Sequence, residues 1–413
     1  MPKQLNKRYK SLLSALAIVF LAMPANATIQ IWTSSENVAR ALKSLTPKFE
    51  QSYGERVKIT ILNKDLTTQF KTAAIAGKGP DILCWANDVV GELASSGLIE
   101  PLLIDKDLKN SFYPSALKSF TFEGKLYGYP YDVESVALIR NTSIRKESFD
   151  SFEELFNWSK GQGDRDQYPF LFDIKNFYFN YMFLSAGGGY IFAEQKDRGR
   201  TSLNPVDIGL ANNGAVKGVE YLKSLTQNKI ISTSVNRNIA FEKMLKGRLA
   251  ITIDGPWAIK DLERAKIPYS VDPLPSLGGN IPRPLVGTHG FIIRRSSRKK
   301  ELAKELIEKF FVTAEGLATL YEEDPRGPAR PDTLEILKHR LSKKALRNLK
   351  AFSMSAMSGT PMPNISAMGP VWNAMGAALE LILQKNQNTR GTLEKAKSRI
   401  LSAINIKQQE EQL

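Results

Sequence analysis

Apolar positions along this chain change period repeatedly, and each change marks an element boundary. Residues 28–32 read as a short strand. Val38, Leu42, Leu45 and Phe49 then recur at spacings of four, three and four, one stripe of an amphipathic helix, with Gly54 placed to end it. Residues 56–62 alternate as a strand, 66–76 suit a second helix, and 81–85 form an apolar run behind the turn Gly77-Lys78-Gly79-Pro80. A further helix starts near Asp88 and stops at Gly97. Strands alternating with helices predict an α/β architecture on a parallel sheet with helices on both faces.

The pattern shifts near residue 123. Residues 123–130 read as a hairpin, 133–139 as a strand, and Ser151-Phe152-Glu153-Glu154 as a capping box. A helical period holds from 177 to 229, broken by Gly187-Gly188-Gly189, and 239–247 continue as helix. Residues 249–253 and 285–293 read as extended, 299–320 and 370–404 as long helices. There is no repeat and no long linker, so two lobes should pack together and be joined by short crossings.

Two strand ends carry the same signature. The run Ile82-Leu83-Cys84 gives way to Trp85 and Asp88, and Ile251-Thr252-Ile253 gives way to Asp254-Gly255-Pro256-Trp257. Ligands of open α/β sheets bind outside the carboxyl ends of the strands. Either Trp alone reads equally well as core packing. Both together, from distant segments, indicate a shared cleft lined by rings.

Charge and composition alter this picture only at the N-terminus. Lys3, Lys7, Arg8 and Lys10 precede an apolar run, Ser11 to Met23, and Ala25-Asn26-Ala27 is a cleavage site, so residues 1–27 read as a secretory signal peptide. Of the 57 Lys and Arg, four lie in that leader, leaving 53 against 42 Asp and Glu in the mature chain. Export argues against nucleic acid as the partner of this basic surface, and the clusters 294–300 and 338–350 read as solvated faces. Thr28 rather than a cysteine follows the cleavage site, which argues against lipidation and for a free periplasmic protein. Cys84, the single cysteine, reads as a buried, inert thiol.

Catalytic equipment is sparse. The two histidines, His289 and His339, stand in unrelated contexts, with no H-E-x-x-H, C-x-x-C, G-x-S-x-G or phosphate-binding loop, so no metal and no cofactor is expected. Acidic residues such as Asp88, Glu134 and Asp254 leave a glycosidase open, but nothing selects a pair of them. Rings beside carboxylates have a non-catalytic use. A sugar packs its C–H face on a ring and donates its hydroxyls to carboxylates.

Four segments carry a resemblance: GKGPDILCWANDVVGELASSGLIEPL, GKLYGYPYDVESVALIRN, AFEKMLKGRLAITIDGPWAI and MPNISAMGPVWNAM. In this order they resemble the maltose- and maltodextrin-binding branch of the family 1 extracellular solute-binding proteins of ABC importers, over about residues 29 to 404. The resemblance implies a two-lobe periplasmic binding protein fold with a hinge and an interlobe ligand cleft. It implies an N-lobe of 28–133 and 291–341, and a C-lobe of 134–290 and 342–413. It also implies an oligosaccharide ligand, inner-membrane permease subunits as partners, a chemoreceptor as a further candidate, a monomeric state and no enzymatic activity.

By the same resemblance, the sugar-stacking rings fall on Trp85, Tyr178, Trp257 and Trp372, and the hydroxyl-binding carboxylates on Asp88, Glu134 and Glu36, the last in place of a shorter Asp. Departures fall at Asn37 for Lys, Val89 for Arg, Asn176 for Glu, Phe177 for Pro, Asn373 for Tyr and Gly376 for Arg. The rings are kept while charged hydrogen-bonding groups are lost, so these six positions are the expected determinants of which sugar binds. A maltodextrin is the first expectation, with another di- or oligosaccharide as the alternative. A secreted carbohydrate-active enzyme and a basic structural protein of the envelope are the rival classes.

Overall fold

The computed structural model describes residues 28–160, 162, 167–197 and 200–410, and the leader read over 1–27 lies outside them. Val38, Leu42 and Phe49 are fully buried on the helix Glu36–Tyr53, with Leu45 at the edge of the same core. Ser35 starts this helix by accepting from the Val38 N–H, and Gly54 ends it with φ 69, where a side chain would be strained. Strands Ile29–Thr33, Val57–Ile61 and Ile82–Ala86 pair in parallel, as the alternation predicts. His289–Ile293 and Tyr129–Pro130 then extend the sheet antiparallel, making it mixed and five-stranded. Strand alternation divides Ile82–Ala86 between two cores. Ile82 and Cys84 face the helix Glu36–Tyr53, while Leu83 and Trp85 face Leu66, Phe70 and Leu93.

A second, four-stranded sheet runs Tyr269–Asp272, Ala137–Asn141, Leu249–Asp254, Tyr168–Phe170. Its core takes Phe170, Phe183 and Leu222 from the middle of the chain and Met375 and Ile382 from its end. Arg140 is buried in this sheet and holds Asp272 on the neighbouring strand with directed bonds of 2.9 and 3.2 Å. The chain passes between the sheets near 134–136 and 286–288, where Glu134 and Gly287 exchange backbone hydrogen bonds of 2.9 and 3.0 Å. Helix Lys343–Ser358 also touches both sides. Leu349 packs with Ala318 and Leu337, and the Asn348 amide donates to the Tyr269 hydroxyl at 3.1 Å. Among the described residues no helix is long and apolar enough to cross a membrane.

Several expectations need correction. The span 177–229 contains two helices, Phe177–Ala186 and Asn213–Gln227, separated by a strand pair, Ala193–Asp197 with Arg200–Asn204. The glycines there serve contact between the helices: a Cβ on Gly187 would lie 2.5 Å from the Gly214 carbonyl oxygen. The span 299–320 is interrupted by a π turn, Ile307–Phe311, and restarts where the Thr313 hydroxyl accepts from the Gly316 N–H. The span 370–404 breaks at Asn386, which adopts φ 51, into Met368–Lys385 and Thr389–Glu410. The capping box is offset: Glu154 donates its N–H to the Ser151 hydroxyl, but its carboxylate accepts from Asp150. Arg294 is not solvated; it is buried and donates to the carbonyls of Pro80 and Gly77.

Candidate ligand-binding cleft

Strand Ile82–Ala86 leaves its sheet into the short turn Asn87–Val89, and Leu249–Asp254 leaves the other sheet into Pro256–Ala258. Asn87 fixes the first turn. Fully buried, it donates to the Met362 carbonyl at 3.0 Å and accepts from the Thr288 N–H at 3.1 Å. The same segment is held by the Gly91 N–H, which donates to the Asn364 carbonyl at 2.9 Å, and by the Asn364 amide, which donates to the carbonyls of Ser119 and Thr121. Docked in this way, residues 362–366 lead into helix Met368–Lys385 and bring Trp372 to Asp88. The indole Nε1 donates to Asp88 Oδ2 at 3.1 Å. Phe177 backs the indole edge-on, with centroids 5.9 Å apart.

Asp88 is thereby half-buried, with Oδ1 shielded and unpartnered. Burial pushes its carboxyl up to about 6, against the lowering effect of the Trp372 hydrogen bond.

A second group forms around Trp257. Tyr178 lies 6.3 Å away, centroid to centroid, and tilted by 49°, so the two rings meet at an angle. The Arg326 guanidinium sits 5.6 Å from the Trp257 centroid. Arg326 Nε approaches Glu134 Oε2 to 2.6 Å, yet neither atom makes a directed hydrogen bond, so the contact is an ion pair off the N–H axis. The guanidinium also faces Asp324 at 3.2 Å and Asp132 at 3.6 Å. Burial opposes the Arg326 charge, but these three carboxylates hold its pKa well above the ordinary value.

The carboxyls separate in turn. Burial outweighs Arg326 and His289 at Glu134 and raises its pKa. At Asp132 burial is outweighed by His289, whose backbone N–H donates at 2.8 Å and whose ring Nδ1 lies at 3.1 Å, so that pKa falls. Burial would lower His289, but Asp132 and Glu134 raise it. Asp132, Glu134 and His289 present ligand atoms within 4.8 Å of one another, although the Arg326 guanidinium already supplies a cation to both carboxylates. The expectation of no metal was drawn from two unrelated histidines, and the fold gives one of them carboxylate neighbours.

The remaining site candidates divide. Trp85 packs with the outer core of its sheet, beside Trp32, Leu62 and Val89, and no described contact joins it to the Asp88–Trp372 pair. Glu36 is exposed at the first turn of its helix. The Asn37 carbonyl oxygen is engaged by Arg40 and, at 3.4 Å, by Arg264. Asn176 caps helix Phe177–Ala186 by accepting from the Tyr178 N–H. Asn373 is exposed and lines a surface cavity of about 520 Å³ with Lys71, Glu92 and Arg399. Gly376 lies one turn beyond Trp372, with open space where a side chain would stand. Residue patterns missed Asn87, Asp132, Asp324 and Arg326. The available signal was Asp324-Pro325-Arg326-Gly327-Pro328, two opposite charges held in turn residues.

Two α/β units joined by short crossings, with rings and unpartnered polar atoms where they meet, define a two-lobed binding protein. The chain belongs to the bacterial extracellular solute-binding protein family, which it matches over residues 44–345. Among curated proteins it is similar to a galactooligosaccharide-binding protein of Bacillus subtilis, 27% identical over 89% of this chain and 87% of the relative. It is also similar to a maltooligosaccharide ABC transporter solute-binding lipoprotein of Streptococcus pneumoniae, 26% identical over 80% and 78%. A maltotriose-binding protein of Pyrococcus abyssi is 27% identical over 82% of this chain and 73% of its own length.

Proposed function

We propose that this protein is a periplasmic receptor of an ABC importer that binds an oligosaccharide between its lobes and delivers it to a permease, without chemistry of its own. The observation that carries the reading is the pairing of rings with unsatisfied acceptors. Trp372 bonds Asp88 Oδ2 and leaves Oδ1 of the same carboxylate free, and Tyr178, which meets Trp257 at an angle, neighbours Glu134, whose Oε2 has no directed donor. Rings angled to one another offer faces to successive sugar units, and buried carboxylate oxygens without a directed hydrogen bond are costly until hydroxyls reach them. Glu36, Trp85, Asp88, Glu134, Tyr178, Trp257 and Trp372 are the proposed contacts, and Asn37, Val89, Asn176, Phe177, Asn373 and Gly376 the proposed specificity positions. The lobes, 28–133 with 291–341 and 134–290 with 342–413, would close about the crossings near Glu134 and Gly287. Residues 1–27 are the proposed leader, removed to leave an unlipidated monomer.

A maltooligosaccharide is the first choice of ligand, supported by the names of two relatives, and a galactooligosaccharide the second, supported by the name of a third. The test is thermal melting of protein expressed from the full chain with maltose, maltotriose, longer maltodextrins, galactooligosaccharides, trehalose, sucrose and cellobiose. A ligand that binds only the folded state raises the melting temperature by mass action. Saturable stabilisation by one of these sugars, unaltered after overnight incubation, is the expected result. No response to any of them would overturn the receptor reading, and conversion of the sugar would indicate an enzyme.

A further inference from the structure

Three polar groups around Trp257 are buried without a directed partner: Arg326 Nε, Glu134 Oε2 and the Tyr178 hydroxyl. A purely structural arginine in this fold behaves otherwise. Arg140 aligns two N–H groups on Asp272 at 2.9 and 3.2 Å. Arg326 faces three carboxylates, but none of these contacts is a directed hydrogen bond among the described residues. Its charge is balanced while its Nε donor stays unused. Such an arrangement is costly to bury and has no benefit to the isolated fold that well-packed apolar side chains could not match.

We propose that Arg326 contacts the ligand directly and determines its specificity, forming with Glu134 a donor–acceptor pair for two neighbouring hydroxyls of the sugar unit that lies on Trp257. The inference rests on the receptor reading above and adds to it the residue that supplies the cationic donor. The chemistry is matched. A hydroxyl oxygen accepts from the guanidinium while its neighbour donates to the carboxylate, so a vicinal diol satisfies both partners at once. The planar fork holds the two hydroxyls in one geometry, which a lysine cannot do. The other positions cannot take this part. Asn37 and Asn176 are neutral amides that supply no cationic donor, and Val89 and Gly376 carry no side-chain donor at all. Asp132 and Asp324 act behind Arg326, keeping it ionised and in place.

The test is calorimetric titration of maltotriose, and of maltotriose analogues with single hydroxyls replaced by hydrogen, into the wild type, Arg326→Lys and Trp257→Ala. Arg326→Lys keeps a cation among the three carboxylates, so its melting temperature should stay close to wild type. Its affinity for maltotriose should fall by roughly 10- to 100-fold, the scale of a hydrogen bond to a charged group. The deoxy analogue that loses most affinity in the wild type should lose little more in Arg326→Lys, since the partner of that hydroxyl is already gone. Wild-type affinity in Arg326→Lys with lost binding in Trp257→Ala would overturn the role of Arg326 and leave the receptor reading standing. No binding of maltotriose by the wild type would remove the ground for both at this ligand. Should Arg326→Lys not fold, a crystal structure of the wild type with maltotriose decides. A guanidinium nitrogen within about 3.2 Å of a sugar hydroxyl supports the assignment, and a separation beyond about 4 Å overturns it.

Discussion

Lowering the pH from about 7.5 to about 5 should weaken sugar binding about tenfold through Asp88. The ionised carboxylate accepts hydroxyl donors as charge-assisted bonds, whereas the protonated form must first commit its own O–H. With the carboxyl at about 6, nearly all of it is ionised at the upper pH and about a tenth at the lower. The apparent dissociation constant is the intrinsic one divided by the competent fraction, which gives about tenfold, or about 1.4 kcal/mol. Folding stability should respond with the opposite sign. The folded carboxyl lies above its ordinary 3.8, so its contribution to stability is full below that value and is lost as the pH rises through about 6. Across one window, then, stability from this group falls while affinity climbs. Glu134 is shifted upward as well and acts in the same sense, so Asp88→Asn is the control that separates them. Its amide oxygen can still accept from Trp372 Nε1 but carries no titratable proton. At the upper pH it should bind about 1.5–3 kcal/mol more weakly, and most of the slope should vanish. Titration calorimetry at constant ionic strength measures both. Affinity that is flat or rising toward low pH, or an equally steep slope in Asp88→Asn, would refute the role of this carboxylate.

Two further substitutions test the frame of the cleft. Trp257→Ala removes a half-buried ring that backs Tyr178 and Arg326, and should weaken sugar binding by about 2–4 kcal/mol with a cooperative melt retained. Loss of the folded state by circular dichroism would mean the ring is core. Gly91→Ala should destabilise by about 1–3 kcal/mol, because its Cβ would meet the Asn364 oxygen at 2.5 Å and the Ser366 nitrogen at 2.7 Å, both backbone atoms. The displaced segment 362–366 would draw Trp372 off Asp88, so weaker binding should accompany the lower melting temperature; an unchanged melt would show this segment to be loosely seated.

The fold was legible wherever one periodic stripe decided an element. Val38, Leu42 and Phe49 must face one core whatever surrounds them, alternation marks 56–62 as a strand, and the short apolar run 81–85 between a Gly-Pro turn and a helix start marks another. What periodicity could not reach was set by contacts distant in sequence. His289–Ile293 joins the first sheet as an antiparallel strand because Ile82–Ala86 offers it an edge more than two hundred residues earlier. The helix breaks at Ile307–Phe311 and Asn386 are local but carry weak signals, since Thr313 and Asn386 stand in otherwise helical composition. The strand pair Ala193–Asp197 with Arg200–Asn204 is largely polar in sequence, so no apolar alternation announces it.

The candidate cleft divides on the same principle, sharpened by chemistry. A Trp at the end of an apolar strand is visible because strand, turn residues and ring are contiguous, as at Asp254-Gly255-Pro256-Trp257. A polar side chain carries no such mark, since its role depends on what faces it. Asn176 and Asn37 stand at positions read as determinants of specificity, yet the first is a helix cap and the second is held by two arginines. Asn87, unnoticed in the sequence, ties together three segments through one buried amide. Arg326 is the strongest case. In sequence it is one of 57 cations on a basic chain, and only the fold surrounds it with Asp132, Glu134 and Asp324 and lays it over Trp257. Burial is what turns that residue from surface charge into a candidate for recognition, because a desolvated guanidinium with an unused Nε donor favours a ligand that can satisfy it and penalises one that cannot.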